Sequence, residues 1–113
     1  MKKILIAEDD PLTRTILKTI FAGEYEVVEA SDGLEALAKI DGVDLIVCDY
    51  WMPNMTGLEF AEKISDRHIP FFMLTVDNSP DSIEKAKALG ITGWLTKPFA
   101  PNILLQRVKR ILS

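Results

Sequence analysis

Three apolar runs and a last short strand in this chain each end in a residue able to act on a charged group. Ile4-Leu5-Ile6-Ala7 runs into Glu8-Asp9-Asp10, and Leu45-Ile46-Val47-Cys48 into Asp49. Pro70-Phe71-Phe72-Met73-Leu74 ends in Thr75, and Gly93-Trp94-Leu95-Thr96 in Lys97-Pro98. Uninterrupted apolar runs of this length read as parallel strands buried on both faces. Their C-terminal ends then meet at one rim of a sheet, where open α/β folds place ligands. Two carboxylates about 4 Å apart repel by roughly 4 kcal/mol at an effective dielectric of 20. Either one keeps its proton or a cation lies between them. An oxygen-only donor set with room for water favours Mg²⁺ over zinc or iron. A carboxylate such as Asp49, beside Mg²⁺ and faced by a lysine and a hydroxyl, is a competent phosphoryl acceptor. Carboxylates act as covalent nucleophiles. The ion and Lys97 would neutralise charge on the transferring oxygens, and Thr75 would donate a hydrogen bond to the product.

Positioning these groups requires a regular scaffold. Asp10 is an N-cap and Pro11 the first residue of a helix. Leu12, Ile16 and Ile20, with Leu17 and Phe21, are expected to form its apolar face, and Gly23 ends it. Glu26-Val27-Val28-Glu29-Ala30 is a shorter, more polar strand, nearer an edge. Asp32-Gly33 signals a turn. Leu34, Leu37 and Ile40 mark a second helix, and Leu58, Ala61 and Ile64 a third over about residues 57–65. Ser79-Pro80-Asp81 opens a fourth, with Gly90 as its C′ residue. Leu104, Val108, Ile111 and Leu112 give the last helix its buried stripe. Strand then helix, five times over, with connections suited to right-handed crossovers, predicts an α/β fold. Its expected form is a five-stranded parallel sheet with helices on both faces.

Composition narrows the function classes. A chain of 113 residues suits one domain with one core. It is 48% hydrophobic and 27% charged, ordinary for a globular protein. Net charge of −4 argues against direct nucleic-acid binding. A lone cysteine, Cys48, cannot form an internal disulfide, no apolar run reaches membrane-spanning length, and nothing at the N-terminus resembles a signal peptide. These features predict a cytoplasmic protein with no membrane contact.

The order of these pieces resembles the response-regulator receiver domain, the phosphoacceptor module of two-component signalling. The acidic pair Glu8-Asp9 follows the first strand, and Asp49-x-x-Met52-Pro53-x-x-x-Gly57 fits the family's phosphorylation-site motif. Thr75 follows the fourth strand and Lys97-Pro98-Phe99 the fifth. Each piece is weak alone; their order and spacing over the whole chain are specific. The resemblance implies the flavodoxin-like strand order 2-1-3-4-5 and a receiver domain spanning residues 1–113. It also implies that Asp49 accepts a phosphoryl group from a histidine kinase or phosphotransfer protein. Mg²⁺ would be held by Asp9, Asp49 and the main-chain carbonyl of Trp51, with Glu8 acting through a water. The Lys97-Pro98 bond is expected to be cis. Thr75 and Trp94 occupy the switch positions, and a downstream protein would read helix 4, strand 5 and helix 5, including Lys85, Lys87, Arg107 and Lys109. The chain would be a switch rather than a turnover enzyme. It departs from the common pattern at Val76, at the bulky Trp51, and at Trp94, where Tyr or Phe is usual.

Plainer roles compete for several residues. Asp10 is better read as a cap than a ligand, Cys48 as an inert buried thiol, and His68 as solvent-facing. Lys85, Lys87, Arg107, Lys109 and Arg110 also suit solvated helix faces. An aspartyl-phosphate phosphatase or phosphotransferase of the haloacid-dehalogenase kind would need an acid where Trp51 stands. A flavodoxin-like flavin carrier would need a phosphate loop after strand 1, where Glu8-Asp9-Asp10 would repel it. A receiver that binds partners without phosphorylation would not need all the acceptor residues. A stand-alone receiver and the receiver of a longer regulator read identically here.

Overall fold

A computed structural model describes residues 1–76 and 79–113. Strands and helices alternate: β1 (Lys3–Ala7), α1 (Pro11–Phe21), β2 (Glu26–Ala30), α2 (Gly33–Ala38), β3 (Leu45–Asp49) and α3 (Gly57–Lys63). A 3-10 turn, Ser65–Arg67, leads to β4 (Phe71–Thr75), α4 (Pro80–Ala88), β5 (Gly93–Thr96) and α5 (Pro101–Leu112). All strand pairs are parallel, in the order β2-β1-β3-β4-β5 that the resemblance implied.

The burial of each strand follows from its place in that order. β3 and β4 are buried at every position, which suits their continuous apolar runs. β2 and β5 lie at the two edges and are mostly half-exposed, which matches the polar sequence of β2. Alternation along the strands divides the core into two layers. Leu5, Ala7, Ile46, Cys48 and Met73 face the layer that contains Phe60 of α3. Ile4, Ile6, Val47, Phe72 and Leu74 face the layer that contains Leu17 and Phe21 of α1 and Leu104 and Val108 of α5.

Several expectations are corrected. Leu12 and Ile16 are exposed, and the buried residues of α1 are Leu17 and Phe21. Nine residues are about two and a half helical turns, so Leu12 and Phe21 point to opposite sides and cannot both face the sheet. Leu34 is exposed for a similar reason, with Gly33 and Ala36 as the buried positions of α2. Asp32 is the N-cap of α2, its side chain accepting from the Glu35 amide, rather than part of a free turn. The third helix stops at Lys63, and the 3-10 turn takes up the remainder. Other local readings hold: Asp10 caps α1, the Lys97-Pro98 peptide is cis, Cys48 is buried and His68 is exposed.

Candidate functional site

The parallel register brings the expected residues to one rim. β1 and β3 align Ala7 with Cys48, so Glu8 and Asp49 emerge side by side. β4 and β5 align Thr75 with Thr96, and the Lys97 amide donates to the Thr75 carbonyl at 2.8 Å. Lys97 is thereby carried to the same edge. Its Nζ lies 2.7 Å from Glu8 Oε1 and 3.3 Å from Asp49 Oδ1. Glu8, Asp9 and Asp49 each bring a carboxylate oxygen into a group whose members lie within 4.8 Å of one another. Glu8 and Asp49 are buried and Asp9 is exposed. Thr75 is wholly buried at the end of β4.

One cation facing this many carboxylates leaves the pocket short of positive charge. Burial pushes the Glu8 carboxyl up to about 7; the Lys97 hydrogen bond opposes the shift and Asp49 adds to it. Burial pulls Lys97 the other way, but the Glu8 hydrogen bond and the charges of Glu8 and Asp49 outweigh it, leaving the amine above its ordinary value. The pocket can relieve its excess charge by holding a proton on Glu8 or by taking up a cation. Glu8, Asp9 and Asp49 offer only oxygen, the donor chemistry of a hard divalent ion, so the residues present fit Mg²⁺. Lys97 touches both buried acids, Glu8 more closely than Asp49.

The loop after β3 is held tightly. The Tyr50 amide donates to the Leu74 carbonyl at 3.0 Å, and the Gly57 amide donates to the Tyr50 carbonyl at 2.7 Å. A Cβ on Gly57 would lie 2.6 Å from the Asp49 carbonyl oxygen, so only glycine lets α3 start this close. Thr56 caps that helix in a reciprocal arrangement with Glu59. Asn54, at a φ of 70°, donates to Asp32 at 3.0 Å and ties the loop to the start of α2.

Two supports escaped the sequence reading. Arg14 donates from Nη1 to the Glu8 carbonyl at 2.9 Å, orienting the acidic segment from the first turns of α1. Tyr50 joins Trp51 and Trp94 in a row of edge-on rings, with centroids 4.6 Å and 6.3 Å apart. The adjacency Tyr50-Trp51 was visible in the sequence, but the reach to Trp94 is tertiary. The Trp94 indole Nε1 is buried and makes no hydrogen bond among the described residues. Leaving such a donor unmade costs about 1–3 kcal/mol. The side chains of Trp51 and Val76 are exposed, so neither fills the pocket.

A parallel α/β domain with an acidic, lysine-bridged pocket at the C-terminal rim has the architecture of a signalling receiver module. The family model of the response regulator receiver domain matches residues 4–109, and the chain belongs to that family. Relatives include the transcriptional regulatory protein PdtaR of Mycobacterium tuberculosis, 36% identical over 99% of this chain and 57% of that protein. The chemotaxis protein CheY1 of Helicobacter pylori is 30% identical over 98% of this chain and 97% of its own length. Among solved structures, the chemotaxis protein CheY4 of Vibrio cholerae is 39% identical, covers 98% of both chains and superimposes with a TM-score of 0.90. The chain thus spans a little over half of one relative and nearly all of another. Receiver domains of two-component systems bind Mg²⁺ at an acidic pocket and interact with histidine kinases and downstream effectors. No helix among the described residues is long and apolar enough to cross a membrane.

Proposed function

We propose that residues 1–113 form one receiver unit working as a phosphorylation-dependent switch, in which Asp49 accepts a phosphoryl group from a phosphohistidine. The observation that carries this reading is the buried Asp49 carboxylate, in contact with Lys97 and gathered with Glu8 and Asp9. An Asp49 carboxylate oxygen attacks phosphorus; the new O–P bond forms as the N–P bond to the donor imidazole breaks, and the imidazole keeps the electron pair. Lys97 holds one Asp49 oxygen and supplies positive charge to the transferring group. Asp9, Asp49 and the Trp51 carbonyl, with Glu8 through a water, would hold Mg²⁺, which would supply further charge neutralisation there. Thr75 donates its hydroxyl to the product phosphate. An apolar groove of about 440 Å³, lined in part by Ile16, Val76 and Phe99, opens beside Lys97 and gives a donor protein room to approach.

Phosphorylation adds about −1.5 to −2 charges at the rim. Thr75 and Trp94 then bias a two-state element, and the face made by α4, β5 and α5 carries the output. Lys85, Lys87, Arg107 and Lys109 stand exposed on its helices. Asp77 and Asn78, in the connection between Thr75 and α4, lie outside the described residues. Within this reading the domain acts in the cytoplasm and turns over no substrate. Incubation with acetyl phosphate and Mg²⁺ tests the assignment. Intact mass should gain one phosphoryl group in the native chain and none in Asp49→Asn. An adduct that persists unchanged in Asp49→Asn removes Asp49 from the acceptor role.

A further inference from the structure

In the row of rings beside the pocket, Tyr50 has no part in the chemistry above. Tyr50 follows Asp49 directly, and both of its backbone polar groups are engaged, the amide by Leu74 and the carbonyl by Gly57. Its ring meets the indole of Trp94 edge-on, with centroids 6.3 Å apart and planes at 66°. Both residues pack on the core layer that contains Phe60 and Met73. The Trp94 Nε1–H is shut away from water with no acceptor among the described residues. An indole half-buried by its ring, with its one polar atom shut in and orphaned, has two opposed tendencies. Packing holds it inward, and an unmade hydrogen bond favours turning out to water. Whatever ring contact holds it inward decides its pose.

We infer that Tyr50 is the positioning residue for Trp94, holding the indole inward and joining the acceptor strand to β5 through side chains alone. A tyrosine whose backbone is pinned on both sides cannot shift unless the Asp49 segment shifts with it. Movement of that segment therefore reaches Trp94 directly through the Tyr50 ring, beside any route through Thr75. The inference deepens the proposed switch and rests on it only for the second half of the test.

Trp51→Phe leaves Trp94 as the sole tryptophan, because the chain has two. In that background Tyr50→Phe keeps the ring, Tyr50→Leu fills the space without one, and Tyr50→Ala empties it. Circular dichroism and urea midpoints identify which variants remain folded. Trp94 in the parent and in Tyr50→Phe should emit at short wavelength and resist acrylamide. In Tyr50→Leu, and in Tyr50→Ala if folded, emission should move to the red. The open population should rise about two- to tenfold, as expected for loss of one aromatic pair. Folded Tyr50→Leu with parental emission and quenching overturns the positioning role. The second half adds acetyl phosphate and Mg²⁺ while intact mass follows the adduct. At equal adduct yield the Trp94 response should be smaller in Tyr50→Leu than in Tyr50→Phe, and equal responses overturn the link to the acceptor strand. Absence of the adduct from every variant counts against the proposed function, and the unphosphorylated comparison then decides the role of Tyr50 by itself.

Discussion

The two ends of the sheet use the same chemistry to opposite effect. At the N-terminal end, the Lys3 amide donates to Asp44 at 2.7 Å and the Lys3 ammonium lies 3.7 Å from Glu26. The Glu26 side chain is well exposed, so water screens the pair, and such pairs are worth about 0–1 kcal/mol. At the C-terminal end, Lys97 meets a Glu8 side chain only 1% exposed and a buried Asp49, with Asp9 close by. There the carboxylates outnumber the lysine and one of them holds its proton to about pH 7. Lysine–carboxylate pairing by itself is therefore uninformative about function. Buried excess charge of one sign is informative, because folding alone gives no reason to gather it.

Four experiments would break or sharpen this contrast. The largest expected effect is that of Asp49→Asn on phosphorylation, a complete loss of adduct by intact mass, whereas Asp44→Asn at the other end should label like the native chain. Next is Lys97→Ala. In chelator at pH 8, urea unfolding should show a loss of about 3 kcal/mol, since the variant strands buried carboxylates without their cation. Lys3→Ala should cost less than about 1 kcal/mol. Equal losses at the two ends would remove the distinction.

The third experiment is pH dependence without divalent ions. Folded Glu8 holds its proton up to about 7, against an ordinary value of 4.5. Between these values the folded state binds more protons than the unfolded state, so stability should fall as pH rises through that window. The whole window is worth about 3 kcal/mol at most, and Glu8→Gln should flatten it. Lys97, raised above its ordinary 10.5, contributes stability that is present below that value and lost at higher pH, outside the window. A profile rising from pH 4.5 to 7 would show that Glu8 carries no burial penalty. The smallest effect is that of Mg²⁺ itself. At a hundredfold excess over its dissociation constant it should stabilise the chain by about 2.7 kcal/mol, seen as a higher melting temperature. The fluorescence of Trp51, two residues from Asp49, should change in the same titration. Asp9→Ala should weaken both responses, and unaltered responses would place the ion elsewhere.

Much of the site was legible because strand ends are legible. Apolar runs stopping at Glu8, Asp49 and Thr75, with a short strand stopping at Lys97, announce a parallel sheet, and such a sheet gathers its C-terminal ends. Helix faces were less legible. In α1, apolar residues at Leu12, Ile16, Leu17, Ile20 and Phe21 span more of the circumference than one sheet contact can cover, and periodicity does not say which part turns outward. The capping role of Asp32 was available from Glu35 three positions on, a spacing that marks a helix start. The Arg14 contact had no such signal, because a side chain donating to a distant carbonyl leaves no periodic trace.

By itself the sequence determined which side chains reach the rim and that they would be acids, a hydroxyl and a lysine. Strand periodicity is local, and local patterns survive in one dimension. Tertiary structure alone decided that Lys97 sits closer to Glu8 than to Asp49 and that Glu8 is the more protected acid. It also decided that Trp94 is closed over an unmade hydrogen bond beside Tyr50. These outcomes depend on register between strands far apart in the chain, and on how much water each packed layer excludes. Neither quantity is a property of any single stretch of residues.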